Sequence, residues 1–140
     1  MHGSTNWRTA HGGSMLIVGT AKIRAIQSDR LLSSYAQAFD EYLARPTARL
    51  MVIGYGFHDS HINESLMRAA NTGMRMFVVD PQGSDLARSL NRTRKSGMIA
   101  VGIPEEDLFE QCLIGASRRT LREIFGADVV EQKKLQRFFD

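Results

Sequence analysis

The hydrophobic positions fall into short runs and helical stripes. Met15-Leu16-Ile17-Val18 is a four-residue apolar run closed by Gly19, which predicts a short strand. Ser28-Asp29 then reads as a helix start. Leu31, Leu32, Tyr35, Ala38, Phe39, Tyr42 and Leu43 recur at spacings of three and four, predicting a helix over 30–44 that Pro46 ends. Arg49 to Ile53 is a nearly continuous apolar run before Gly54-Tyr55-Gly56, the pattern of a strand buried on both faces. Asp59-Ser60-His61 opens a second helical stripe through Ile62, Leu66, Met67 and Ala70. Asn71-Thr72-Gly73 closes it, and Met74 to Val79 is another buried strand ending at Asp80-Pro81. Strand, glycine turn, helix and strand make a βαβ unit of about 30 residues.

Beyond it the pattern predicts a helix over 84–94 and a short strand over 97–101. Three short helices are expected from Glu105 to the end, with Ser117 and Asp128 as caps of the last two. The expected fold is therefore α/β: a parallel sheet flanked by helices in one domain. Residues 1–14 form an irregular arm, 15–103 the α/β part and 104–140 a helical tail.

Composition narrows the class. The 140 residues are 43% apolar and 24% charged with a net charge of +3, the profile of a folded chain rather than a disordered one. One cysteine excludes a disulfide scaffold and a zinc ribbon. No apolar run approaches the roughly 18 residues of a membrane span, and no signal peptide opens the chain, so a cytoplasmic location is the default expectation. Arginines cluster at Arg88, Arg92, Arg94 and at Arg118, Arg119, Arg122. Either cluster could line a phosphate or nucleic-acid surface; the absence of interleaved aromatics weighs against nucleic acid, and a solvated helix face is the simpler reading.

Ligands of parallel α/β sheets bind at the carboxyl ends of the strands. Two marked positions stand there: the turn Gly54-Tyr55-Gly56 and the carboxylate Asp80. Glycines allow backbone N–H groups to approach an anion, and a carboxylate after the next strand suits a ribose diol. The pattern lacks the third glycine of the dinucleotide fingerprint, so a tight turn with a capping Asp59 and a strand-ending Asp80 explains it equally well. His58, Asp59 and His61 form a polar cluster suited to capping or to lining a ligand, without a third metal ligand in view. Ser60 lacks a glycine elbow, which argues against a nucleophile. Cys112, on an apolar helix, reads as a buried structural thiol.

Several segments together carry a family resemblance. His2-Gly3-Ser4-Thr5-Asn6-Trp7 resembles the His-Gly-Ser-x-Asn-Trp motif of bacterial sirtuin-like domains. Val52-Ile53-Gly54-Tyr55-Gly56-Phe57 with Asp59, His61, Ile62 and Asn63 is similar to that family's glycine-turn segment, and Phe77-Val78-Val79-Asp80-Pro81 to the strand that follows. The resemblance covers about the first 85 residues. It implies a Rossmann-like sheet that binds NAD, with Gly54, Tyr55 and Gly56 on the adenosine side, Asp80 on the adenine ribose and Asp59 beside them. It implies His2 as general base, since imidazole titrates near neutrality.

The reaction implied is cleavage of the nicotinamide–ribose bond, either as NAD hydrolysis or as protein deacylation, in bacteria often within antiphage defence. The matched motifs begin at the histidine, after the family's Gly-Ala-Gly phosphate loop and Gln-Asn-x-Asp segment. The expectation is thus the carboxyl-terminal half of such a domain. The expected partners are NAD or ADP-ribose, and a second copy or complementary chain on its open sheet edge. The alternative is a non-catalytic fragment that only binds a nucleotide or a partner.

Overall fold

The computed structural model describes residues 5–9, 11–17, 22–85, 104–126 and 128–140. The chain divides into two compact units, Met1–Tyr42 and Leu43–Asp140.

In the first unit Trp7 to Met15 turns back on itself. Arg8 and Ser14 form an isolated antiparallel bridge, Met15 N–H donates to the Trp7 carbonyl, and Gly12 at φ 79° makes the tip. Helix α1 spans Lys22–Ser28 and α2 spans Arg30–Leu43. Asp29 separates them; its carboxylate Oδ1 accepts from the Leu31 and Leu32 N–H groups at 3.0 Å, satisfying donors that the start of α2 leaves open. Met15, Ile26 and Leu32 form a small core with Trp7, Ile17 and Ala36 against it, and the Trp7 ring stacks on Tyr35. The strand expected at 15–18 is not formed: residues 15–17 are irregular, and Val18 lies outside the described residues. With no strand beside them among the described residues, Met15 and Ile17 serve as packing contacts instead.

The second unit holds a three-stranded parallel sheet in the order β1-β2-β3: β1 Arg49–Ile53, β2 Arg75–Val79 and β3 Leu113–Ser117. Helix α3, Ser60–Ala70, joins β1 to β2; α4, Pro104–Cys112, leads into β3; α5, Leu121–Ile124, and α6, Val129–Phe139, follow it. Residues 81–85 are also helical. The βαβ unit is as the apolar pattern predicts, except that β2 begins one residue later than expected and β1 is only partly buried, with Val52 inside and Ile53 exposed.

β2 is the central strand, and Met76 to Val79 are buried on both faces. Phe77 and Val79 pack on Ile124 of α5 and Leu135 of α6. Met76 and Val78 alternate to the opposite face, where Phe57 meets Phe109 of α4 edge-on at 5.0 Å and α4 lies against α3. Gly115 stands beside Phe77, and a Cβ built there would lie 2.7 Å from the ring. The sheet is therefore sandwiched between helices.

The 104–140 segment is not wholly helical, because β3 lies inside it. Leu113-Ile114-Gly115-Ala116-Ser117 has no turn signal before it and runs directly on from α4. Only pairing with β2 makes it a strand. Ser117 ends that strand rather than capping a helix. The cap of α5 is Thr120, in a reciprocal box with Glu123, and Asp128 caps α6 through the Val130 and Glu131 N–H groups. The expected strand at 97–101 lies outside the described residues, as does most of the expected helix at 84–94.

Candidate functional site

The turn after β1 is a built structure. Gly54 takes φ 62°, a left-handed conformation that costs a residue with a Cβ about 1–2 kcal/mol, and its N–H donates to the Val79 carbonyl at 3.0 Å. That bond ties the turn to the end of β2. The Tyr55 hydroxyl sits 2.8 Å from Asn63 Oδ1 and 3.1 Å from the Asp59 carbonyl. The Asn63 amide donates to the Phe57 carbonyl at 2.8 Å. Phe57 itself is buried at φ 58°, the one non-glycine residue with positive φ among the described residues. The clamp from α3 and the burial of its ring hold Phe57 in this costly conformation. Gly56 is tightly covered: a Cβ there would lie 3.0 and 3.2 Å from the His58 ring and 3.3 Å from Gln82 Oε1, so those side chains would have to give way.

Asp80 follows β2 at the same end of the sheet. Its N–H donates to the Ser117 carbonyl, fixing it beside β3 as well. Its Oδ1 accepts from the Gln82 and Gly83 N–H groups at 2.8 and 3.0 Å, so Asp80 caps the helical residues 81–85. Oδ2 is the oxygen left to meet a ligand. Asp59 occupies the cap position of α3 with φ −95°, but its side chain makes no capping bond; its carbonyl accepts from Ile62 and Asn63 instead.

The structure therefore brings Gly54, Tyr55, Gly56 and Asp80 to one end of the sheet, with Asp59 at the start of the helix between them. His2 lies outside the described residues. Sequence reasoning missed Gln82 and Asn63. Gln82 reaches Gly56 only through the β2 crossover, and Asn63 looks like an ordinary polar residue on the first turns of α3. It figures in the sequence only as the last residue of the family-like segment, with no role attached.

A second polar constellation stands at the end of β3. Ser117, buried, donates its hydroxyl to Glu131 Oε2 at 2.6 Å and accepts the Arg119 N–H. Glu131 Oε1 pairs with Lys134 Nζ at 2.5 Å. Burial works against the charged carboxylate, but the Lys134 and Ser117 hydrogen bonds outweigh it and hold Glu131 below the ordinary carboxylate range. Cys112 is buried with its thiol donating to the Leu108 carbonyl, and burial pushes that thiol up to about 12. It is a packing residue, not a nucleophile.

Among the described residues no three His, Cys, Asp or Glu side chains converge as metal ligands, and no helix is long and apolar enough to cross a membrane. Compared with protein-family models, with curated proteins and with solved structures, the chain matches none.

Proposed function

We propose that this chain is an NAD-binding, sirtuin-like domain with a Rossmann-like sheet, and that its chemistry is cleavage of the nicotinamide–ribose bond. One observation carries the reading. The strained glycine turn after β1 and the carboxylate after β2 sit on adjacent parallel strands, tied by the Gly54–Val79 hydrogen bond. That is the place where α/β sheets take nucleotides. The positive end of α3 follows the turn and favours phosphate, and Asp80 Oδ2 suits a ribose hydroxyl as acceptor. Within this reading His2 removes a proton from a ribose hydroxyl or from water, which is then the acceptor in NAD hydrolysis. An acyl-lysine replaces water in deacylation.

A second reading is a nucleotide-binding module without turnover. It rests on the same turn and on Asp80 Oδ2, which need no proton-transfer group to hold a nucleotide.

The test is calorimetric titration with NAD. Asp80→Asn is the informative variant, since it keeps an oxygen for the cap and removes the charge; Asp80→Ala would loosen the helix as well. Gly56→Ala tests the turn through its contact with His58 and Gln82. Saturable binding weakened by both variants supports the site. Binding indifferent to both, or none at all, refutes it. Nicotinamide release lost in His2→Ala, with binding retained, supports turnover; binding without any release selects the second reading.

A further inference from the structure

The sheet order puts β3 at the opposite edge from β1 and its glycine turn. Along that far edge, between β3 and α6, runs a cavity of about 830 Å³. Its size falls within the roughly 300–1,000 Å³ typical of small-molecule sites. Its wall carries the cations Arg118, Arg119, Lys134 and Arg137 among the described residues. Among the described residues Glu131 is the one carboxylate on the wall, and its charge is taken up by Lys134.

The cations are not equally committed. Arg118 pairs with Asp85 at 3.1 Å and Arg119 with Glu123 at 3.4 Å, in both cases between half-exposed side chains. Exposed pairs of this kind contribute little, so both guanidinium groups can turn to a stronger anion at small cost. Arg137 has no carboxylate partner among the described residues. The wall also contains Ser84, whose buried hydroxyl has no hydrogen-bond partner. Buried polar groups are normally satisfied, and an orphan beside a cationic cavity is a donor waiting for an acceptor.

We propose that this cavity binds a small phosphorylated molecule bearing at least two neighbouring phosphate charges, with Arg118, Arg119 and Arg137 as the forks and Ser84 as a neutral donor. The planar guanidinium suits phosphate oxygens two at a time. The short Glu131–Ser117 bond, and the Ser117 hydroxyl accepting from the Arg119 N–H, fix the end of β3 from which Arg118 and Arg119 project. The site stands apart from the glycine turn and does not depend on the NAD reading.

The probe is inorganic pyrophosphate, titrated by calorimetry into the full chain. One-to-one saturable binding is expected, weakened about tenfold or more in Arg137→Gln, the loss of one charge-assisted contact. Ser84→Ala should also weaken binding while leaving the ligand-free melting temperature equal or higher, because it removes an unsatisfied buried group. Arg75→Gln removes the same charge at the amino end of β2 and should leave binding unchanged. The proposal is overturned if pyrophosphate does not saturate, if Arg75→Gln weakens binding as much as Arg137→Gln, or if a glutamate-rich peptide of equal charge binds as tightly.

Discussion

Replacing Glu131 by alanine tests how the end of β3 is held. The substitution strands the Ser117 hydroxyl, which is 2% exposed and now donates to Glu131 Oε2 at 2.6 Å. A buried donor left without an acceptor costs about 1–3 kcal/mol. Losing the half-exposed Lys134 pair adds at most about 1 kcal/mol. Losing a carboxylate from the first turn of α6 adds roughly 0.3–1 kcal/mol. Relief from burying a charge offsets part of this, leaving about 2–4 kcal/mol.

Glu131→Gln keeps an oxygen for Ser117 and loses mainly the charge, so it should cost about 1 kcal/mol on the same figures. In urea denaturation followed by far-ultraviolet circular dichroism, the alanine midpoint should fall by about 1–2 M for a chain of this size.

The pH dependence has a definite sign. Because the folded Glu131 titrates below its ordinary unfolded value, its contribution is complete above that unfolded value and is lost as pH falls through the lower folded one. The gap between wild type and Glu131→Gln should therefore narrow on acidification. Equal midpoints for wild type and alanine at pH 7, or a glutamine variant as damaged as the alanine one, would refute the reasoning. So would a double-mutant cycle with Ser117→Ala that shows no coupling.

Other perturbations follow from the same geometry. Gly115→Ala drives a methyl group against the Phe77 ring and should cost about 1–3 kcal/mol by overpacking, whereas Gly54→Ala meets no atom within 4 Å and should cost only the roughly 1–2 kcal/mol of its left-handed backbone; urea midpoints for the two variants check that order. Asp128→Ala removes the acceptor for the Val130 and Glu131 N–H groups and should lower stability by about 1 kcal/mol, read as a lower melting temperature. Cys112, with its thiol at about 12, should resist iodoacetamide at pH 8 in the folded chain and react once urea unfolds it; ready labelling of the native chain would show that the α4–β3 junction opens.

Local chemistry was enough for part of this structure. The apolar runs at 49–53 and 74–79, separated by a glycine turn and a helical stripe, determine the βαβ unit; the second is buried on both faces as central strand β2, whereas β1 buries only Val52 fully and leaves Ile53 exposed. Asp29 and Asp128 announced their helices because capping is a contact between near neighbours. The same reasoning failed where the partner is distant. Leu113–Ser117 carries a glycine and an alanine in place of large apolar residues, and it becomes a strand by pairing with β2, where Gly115 leaves space for the Phe77 ring. Helix α1 is too short for its stripe to register, and Met15–Ile17 serves a local core instead of a ladder.

The candidate site divides along the same line. The glycines at 54 and 56 and the carboxylate at 80 were legible as a motif. The Asp80 cap on Gln82 and Gly83 is a local contact that the sequence could have shown. That Gln82 stands over Gly56, and that Ser84 and Arg137 line one cavity, required the tertiary structure. Those groups are brought together by the crossovers between parallel strands, whose sequence separation no local pattern encodes.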